Sequence, residues 1–113
     1  MIKILLICGS GASSGFMVQS MKKVAKSKGL ELDIEARGDS QLKSFLNKVD
    51  VVLAGPHLRV REKELKDLCW SNGKPFAVID SLTYGQMNGE KGIELAFKSI
   101  EEFKQNNQGG KNE

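Results

Sequence analysis

The sequence predicts one α/β domain, a four-stranded parallel sheet in the order 2-1-3-4 with helices on both faces. Three observations carry this. Short apolar runs alternate with segments of helical period across residues 1–104. The first run, Ile2–Cys8, is apolar almost throughout, as a strand covered on both faces must be. Glycines fall where strands hand over to helices and where helices stop. Right-handed crossovers restrict the strand orders, and 2-1-3-4 places the change of winding direction between strands one and three. Ligands bind at the carboxyl ends of such strands, here the segments 8–15 and 55–59.

Each element has its own warrant. After strand one, residues 9–15 form a loop of glycine, serine and alanine. A helix from Ser14 to Lys28 puts Met17, Met21, Val24 and Ala25 on one face and its lysines off it, with Gly29 as the stop. Leu32–Ala36 alternates strictly and reads as a half-exposed edge strand. Asp39 or Ser40 can cap a short helix through Leu42, Phe45 and Leu46. Val49–Ala54 is a second buried strand, closed by Gly55-Pro56. Arg61–Asn72 is helical, with Leu65, Leu68 and Cys69 inward and Gly73 as its stop. Pro75–Ile79 is the fourth strand and Asp80–Asn88 a polar loop. Gly89–Lys104 is the last helix, with Ile93, Ala96, Phe97, Ile100 and Phe103 in one stripe. Residues 105–113 contain nothing apolar and read as a disordered tail, leaving residues 1–104 as the folded domain.

Composition removes several classes. The chain has 113 residues, 40% hydrophobic and 27% charged, which suits one globular domain. A net charge of +3 is too weak to imply nucleic acid. Residues 1–60 hold nine basic and five acidic groups, so the first half is mildly attractive to anions. No apolar run approaches the roughly 20 residues of a membrane span, and the N-terminus is too short in apolar residues for a secretory leader. A cytoplasmic protein is expected. Cys8 and Cys69 form no disulfide framework, no CxxC motif and no zinc cluster, and no metal is called for.

The segment Cys8, Gly9, Ser10, Gly11, Ala12, Ser13, Ser14, Gly15 carries the chemistry. It joins a buried strand to a helix N-terminus, where inward amides and the helix dipole make an anion cradle. Glycines at 9, 11 and 15 are expected to allow positive φ, and the three serines to add hydroxyl donors. The amides that bind a phosphate also favour a thiolate, which would make Cys8 nucleophilic. A lone cysteine ending a strand is ordinarily just a small buried residue, and it is the loop after Cys8 that favours function. Cys69, on an inward helical face, reads as core packing.

Three readings of the loop compete. The dinucleotide fingerprint needs two residues before its last glycine, where this loop has three, and no Gly-Lys-Ser/Thr is present for a nucleoside triphosphate. Low-molecular-weight tyrosine phosphatases place Cys-x5-Arg in the same strand–loop–helix position, but here the sixth residue after Cys8 is Ser14. Without a guanidinium clamp, hydrolysis is poorly served. The third reading is a carrier: Cys8 accepts a phosphoryl group, holds it and passes it on. A degenerate phosphatase-like enzyme and a non-catalytic anion- or nucleotide-binding module remain the alternatives. His57 and Asp80 lie on the rim of this edge. His57 reads as a residue without a chemical role. Asp80 reads as a turn or capping aspartate, although the phosphatases keep a general acid there. Phe16 and Met87 read as exposed apolar residues suited to docking.

The run ILLICGSGASSGFM resembles the phosphocysteine loop of the lactose/cellobiose-type IIB component of the bacterial sugar phosphotransferase system. Residues 50–56, ending in Gly55-Pro56, are similar to that family's third-strand segment. Tyr84-Gly85-Gln86-Met87-Asn88-Gly89-Glu90-Lys91 resembles its Tyr-Gly-x-Met-x-Gly-Glu-Lys segment. The chain departs from the pattern at His57, where glutamine is usual, and at Val60-Arg61, where a tyrosine often follows. The resemblance implies the fold of the low-molecular-weight phosphatases and a phosphotransferase without cofactor. It implies that Cys8 takes a phosphoryl group from a phosphohistidine of a IIA partner. Cys8 then passes the group to a sugar held by the membrane IIC component, a β-linked disaccharide such as cellobiose, chitobiose or lactose. ATP and nucleic acid have no place in that relay. Phe16, His57, Asp80, Tyr84 and Met87 would lie on the rim that partners touch.

Overall fold

The computed structural model describes residues 1–9 and 14–111, apart from the side chains of residue 14 and of residues 107–111. Four parallel strands, β1 (Ile2–Cys8), β2 (Leu32–Gly38), β3 (Val51–Ala54) and β4 (Phe76–Val78), pair in the order β2-β1-β3-β4. Helices α1 (Ser14–Ser27), α2 (Leu42–Phe45), α3 (Glu62–Ser71), α4 (Ser81–Gly85) and α5 (Gly89–Lys111) connect or follow them.

Strand alternation divides the core in two. Ile4 and Leu6 of β1 and Val51 and Leu53 of β3 lie in one cluster with Met17, Met21 and Ala25 of α1 and Ile93 and Ala96 of α5. Leu5, Ile7, Val52 and Ala54 lie in the other, under Leu42 of α2 and Leu65 and Cys69 of α3. Both faces of the central strands are covered, which is why they read as unbroken apolar runs. The outer strand β2 buries only Ile34 fully. Register at the amino edge is pinned by Asp50: its amide donates to the Lys3 carbonyl, and its carboxylate accepts the Lys3 amide at 2.8 Å. β3 therefore opens at Val51, and Val49, expected within the strand, lies before it.

Helices α1 and α5 approach closely. A Cβ at Gly89 would fall 2.5 Å from the Ser20 backbone, so only glycine fits. The Ser20 hydroxyl donates to the Met87 carbonyl at 2.6 Å and accepts the Gly89 amide at 3.1 Å. Lys28, just past the end of α1, and Glu90 of α5 add an exposed ion pair at 2.6 Å.

Several boundaries differ from expectation. Residues 80–88, expected as a loop, contain α4, because Asp80 caps it: one carboxylate oxygen accepts the Thr83 amide at 3.0 Å, the other the Thr83 hydroxyl at 2.7 Å. Residues 56–61 form a 3-10 segment before α3 starts at Glu62. The last helix runs to Lys111 rather than Lys104, into the segment read as a tail; polar Gln and Asn residues extend a helix without breaking its backbone bonds. Phe97 stands half out of the stripe assigned to it, and Ser99 is buried instead. Gly29 and Gly73 take positive φ where helical stops were expected.

Candidate functional site

The site lies at the carboxyl edge of β1, β3 and β4, where the winding of the sheet changes direction. Cys8 is the last residue of β1 and is fully buried. The chain then passes from Gly9 to α1, whose axial dipole presents its positive end to this edge. Ser10, Gly11, Ala12 and Ser13 lie outside the described residues, as does the side chain of Ser14. Gly15 is in the first turn of α1.

His57 contributes more than the sequence suggests. The Gly9 amide donates to His57 Nε2 at 2.7 Å, across 48 residues of sequence. The imidazole packs over the Gly9 and Gly55 backbones: a Cβ at Gly55 would sit 2.7 Å from its Cε1, and one at Gly9 3.4 Å from its Cδ2. Neither glycine takes the positive φ expected of the loop glycines, and neither does Gly15. At residues 9 and 55 the missing side chain makes room for a ring. Tyr84 meets that ring in a T-shaped arrangement, at a centroid distance of 6.5 Å and an interplanar angle of 66°.

The other rim residues separate by role. Asp80 spends its carboxylate on capping α4, and its bonds to Thr83 hold it below the usual carboxylate range. A group so held is ionised near neutral pH and has no proton to give as a general acid. Tyr84, expected on the rim, is buried in the core cluster of α1 and α5. Met87, expected to be exposed, is half-buried against the same cluster with φ of 50°. It occupies the left-handed position that ends α4, where the Asn88 amide reaches the Thr83 carbonyl. Phe16 is exposed as expected, at 68%. Val60 and Leu82 join it at 92% and 63%. These three belong to the segments that follow β1, β3 and β4, the strands whose carboxyl ends form the site. Among the described residues, no group of three His, Cys, Asp or Glu could hold a metal ion, and no helix is long and apolar enough to cross a membrane.

Fold and site together define an open, doubly wound α/β domain with a cysteine at its switch point and an anion-favouring helix terminus beside it. The family described as PTS system, Lactose/Cellobiose specific IIB subunit, matches residues 3–95. The chain belongs to that family of the sugar phosphotransferase system. It is 38% identical, over 86% of its length and 94% of the relative's, to the oligo-beta-mannoside-specific EIIB component of Bacillus subtilis. The galactose-specific EIIB component of Lactococcus lactis is 31% identical over 82% of this chain and 91% of its own. The solution structure of the cellobiose-specific IIB component of Borrelia burgdorferi superposes with a TM-score of 0.75. It shares 38% identity over 89% of this chain and 93% of that one.

Proposed function

We propose that this IIB protein is a phosphoryl carrier whose covalent intermediate is a phosphocysteine at Cys8. The observation that carries this is the position of Cys8, the last residue of a buried central strand at the carboxyl edge of the sheet, in the stretch of chain that leads into α1. In the first step the Cys8 thiolate attacks the phosphorus of a phosphohistidine on a IIA partner. The S–P bond forms as the N–P bond breaks, and the imidazole leaves with the electron pair and takes up a proton. In the second, a sugar hydroxyl oxygen held by the IIC permease attacks the same phosphorus. The S–P bond breaks, its electron pair returns to sulfur, and the hydroxyl proton passes to solvent. Amides at the helix terminus meet the negative charge of the phosphoryl group in both states. Asp80, which stands where the phosphatases keep their proton donor, is committed as an ionised cap. That favours holding the phosphoryl group over losing it to water. The exposed Phe16, Val60 and Leu82 give the two partners an apolar rim to dock on in turn, at the cytoplasmic side of the membrane. The sugar is a β-linked oligosaccharide, a reading supported by the names of the two relatives at 38% identity.

The test is intact-mass and peptide analysis after incubation with the phosphoenolpyruvate-driven relay. One phosphoryl group on Cys8, absent in Cys8→Ser, is the expected result. A phosphoryl group on His57 overturns the assignment.

A further inference from the structure

Resting on the phosphocysteine reading, we infer that His57 is a positioning residue for the transfer. Its Nε2 holds the Gly9 amide while Cys8 is unloaded, then yields that amide to a phosphoryl oxygen. A backbone N–H can only donate, so the 2.7 Å contact makes Nε2 the bare nitrogen and leaves the proton on Nδ1. Gly9 is the residue next to the nucleophile, so this contact sets the direction of the first amide past Cys8.

The contact is built into the backbone rather than left to chance. Pro56 fixes how the chain leaves β3, and His57 follows it directly. Gly55 has φ of −65°, which any residue adopts, so its lack of a side chain answers to the ring lying 2.7 Å from where its Cβ would be. Tyr84 of α4 lies against the same ring in a T-shaped arrangement. With Nε2 as acceptor, the amide keeps its orientation and its hydrogen bond when no anion is present, which spares the site an unsatisfied donor. A phosphoryl oxygen arriving at the same amide faces the Nε2 lone pair. Two acceptors repel, so the amide changes partner. No covalent bond to His57 forms or breaks in this exchange.

The experiment combines imidazole and amide nitrogen resonances with transfer rates. In the unloaded protein, Nε2 gives the signal of an unprotonated, hydrogen-bonded nitrogen and Nδ1 that of a protonated one. Loading from a phosphorylated IIA donor, with one phosphoryl group on Cys8 verified by mass, shifts the Gly9 amide and removes the Nε2 hydrogen-bond signature. His57→Ala accepts the phosphoryl group about tenfold more slowly, the size of one oriented hydrogen bond. His57→Gln, which keeps an oxygen acceptor, stays within about threefold of wild type, and both variants melt as wild type because the ring is exposed. A proton on Nε2 in the unloaded protein overturns the inference. So does loading of wild type and His57→Ala at one rate. A wild-type chain that takes no phosphoryl group on Cys8 removes the phosphocysteine reading and this one with it.

Discussion

Cys69 and Cys8 are both fully buried and neither is in a disulfide, yet their surroundings are opposite. Cys69 lies in the last turn of α3, in an apolar cluster with Leu5, Ile7 and Val52, and burial pushes its thiol up to about 12. Cys8 ends a strand at the sheet edge, next to a glycine amide that His57 holds and in the stretch of chain that leads into α1. Solvent exposure does not distinguish them. What distinguishes them is the backbone nearby: Cys69 is enclosed by apolar side chains, whereas Cys8 adjoins the Gly9 amide that His57 orients.

The widest separation between the two comes from serine. Cys8→Ser is expected to abolish transfer to sugar with the melting temperature nearly unchanged. Cys69→Ser is expected to transfer normally but to lose about 1–3 kcal/mol of stability, because a hydroxyl is placed in an apolar cluster. Transfer assays paired with thermal melts check this, and a transfer defect in Cys69→Ser breaks the comparison.

Alkylation sharpens it next. Exposing Cys8 requires movement only at the sheet edge, whereas exposing Cys69 requires lifting α3 off the sheet at a cost near global unfolding. Iodoacetamide at neutral pH should modify Cys8 at least a hundredfold faster than Cys69, read by peptide mass, with Cys69 reacting only in denaturant. A smaller step tests the neighbourhood of Cys8 without touching it. Gly55→Ala sets a methyl against the His57 ring and should slow phosphoryl acceptance by several-fold while stability stays near wild type.

The smallest effects lie at the ends of the pH range. Folding keeps Cys69 protonated to about pH 12, while the unfolded thiol ionises from about pH 9. The unfolded state then binds fewer protons, so stability falls as pH rises above 9, and Cys69→Ala should flatten that limb. Asp80 has the opposite sign. Its carboxyl is depressed in the fold, so its contribution is complete above about pH 4 and fades as acid carries the pH through the lowered value. Asp80→Asn should flatten the acid limb of a melting-temperature profile. An unchanged acid limb would show that the cap contributes through geometry alone.

The sheet order, both helical faces and the place of Cys8 were legible because each rests on local pattern: an apolar run, a period, a glycine. Contacts between distant segments were not. His57 reads as a rim residue until the fold carries it across to Gly9, and nothing in Gly55-Pro56-His57 announces that the first glycine is clearing space for the third residue's ring. Met87, expected to be exposed, was misplaced because its half-buried position depends on α4, which also buries Tyr84 while leaving it against the His57 ring. The signal for α4 existed in Asp80 followed three residues later by Thr83, but a helix of five residues has too little periodicity to register. Phe97, assigned to the buried stripe of α5, is one-third exposed, at 36%.

The close approach of α1 and α5 at Gly89 also has a consequence for the order of events during synthesis. The nucleophile and α1 leave the ribosome first, and the helix that presses on α1 leaves last. Until Gly89 and Gly92 have emerged, Ser20 lacks the Gly89 amide across the gap, and Met17 and Met21 lack their covering from α5. A nascent chain ending before residue 89 therefore contains every side chain named in the transfer and still lacks the brace that holds their helix in place. In this domain, competence arrives with the last helix, although the nucleophile lies within the first dozen residues.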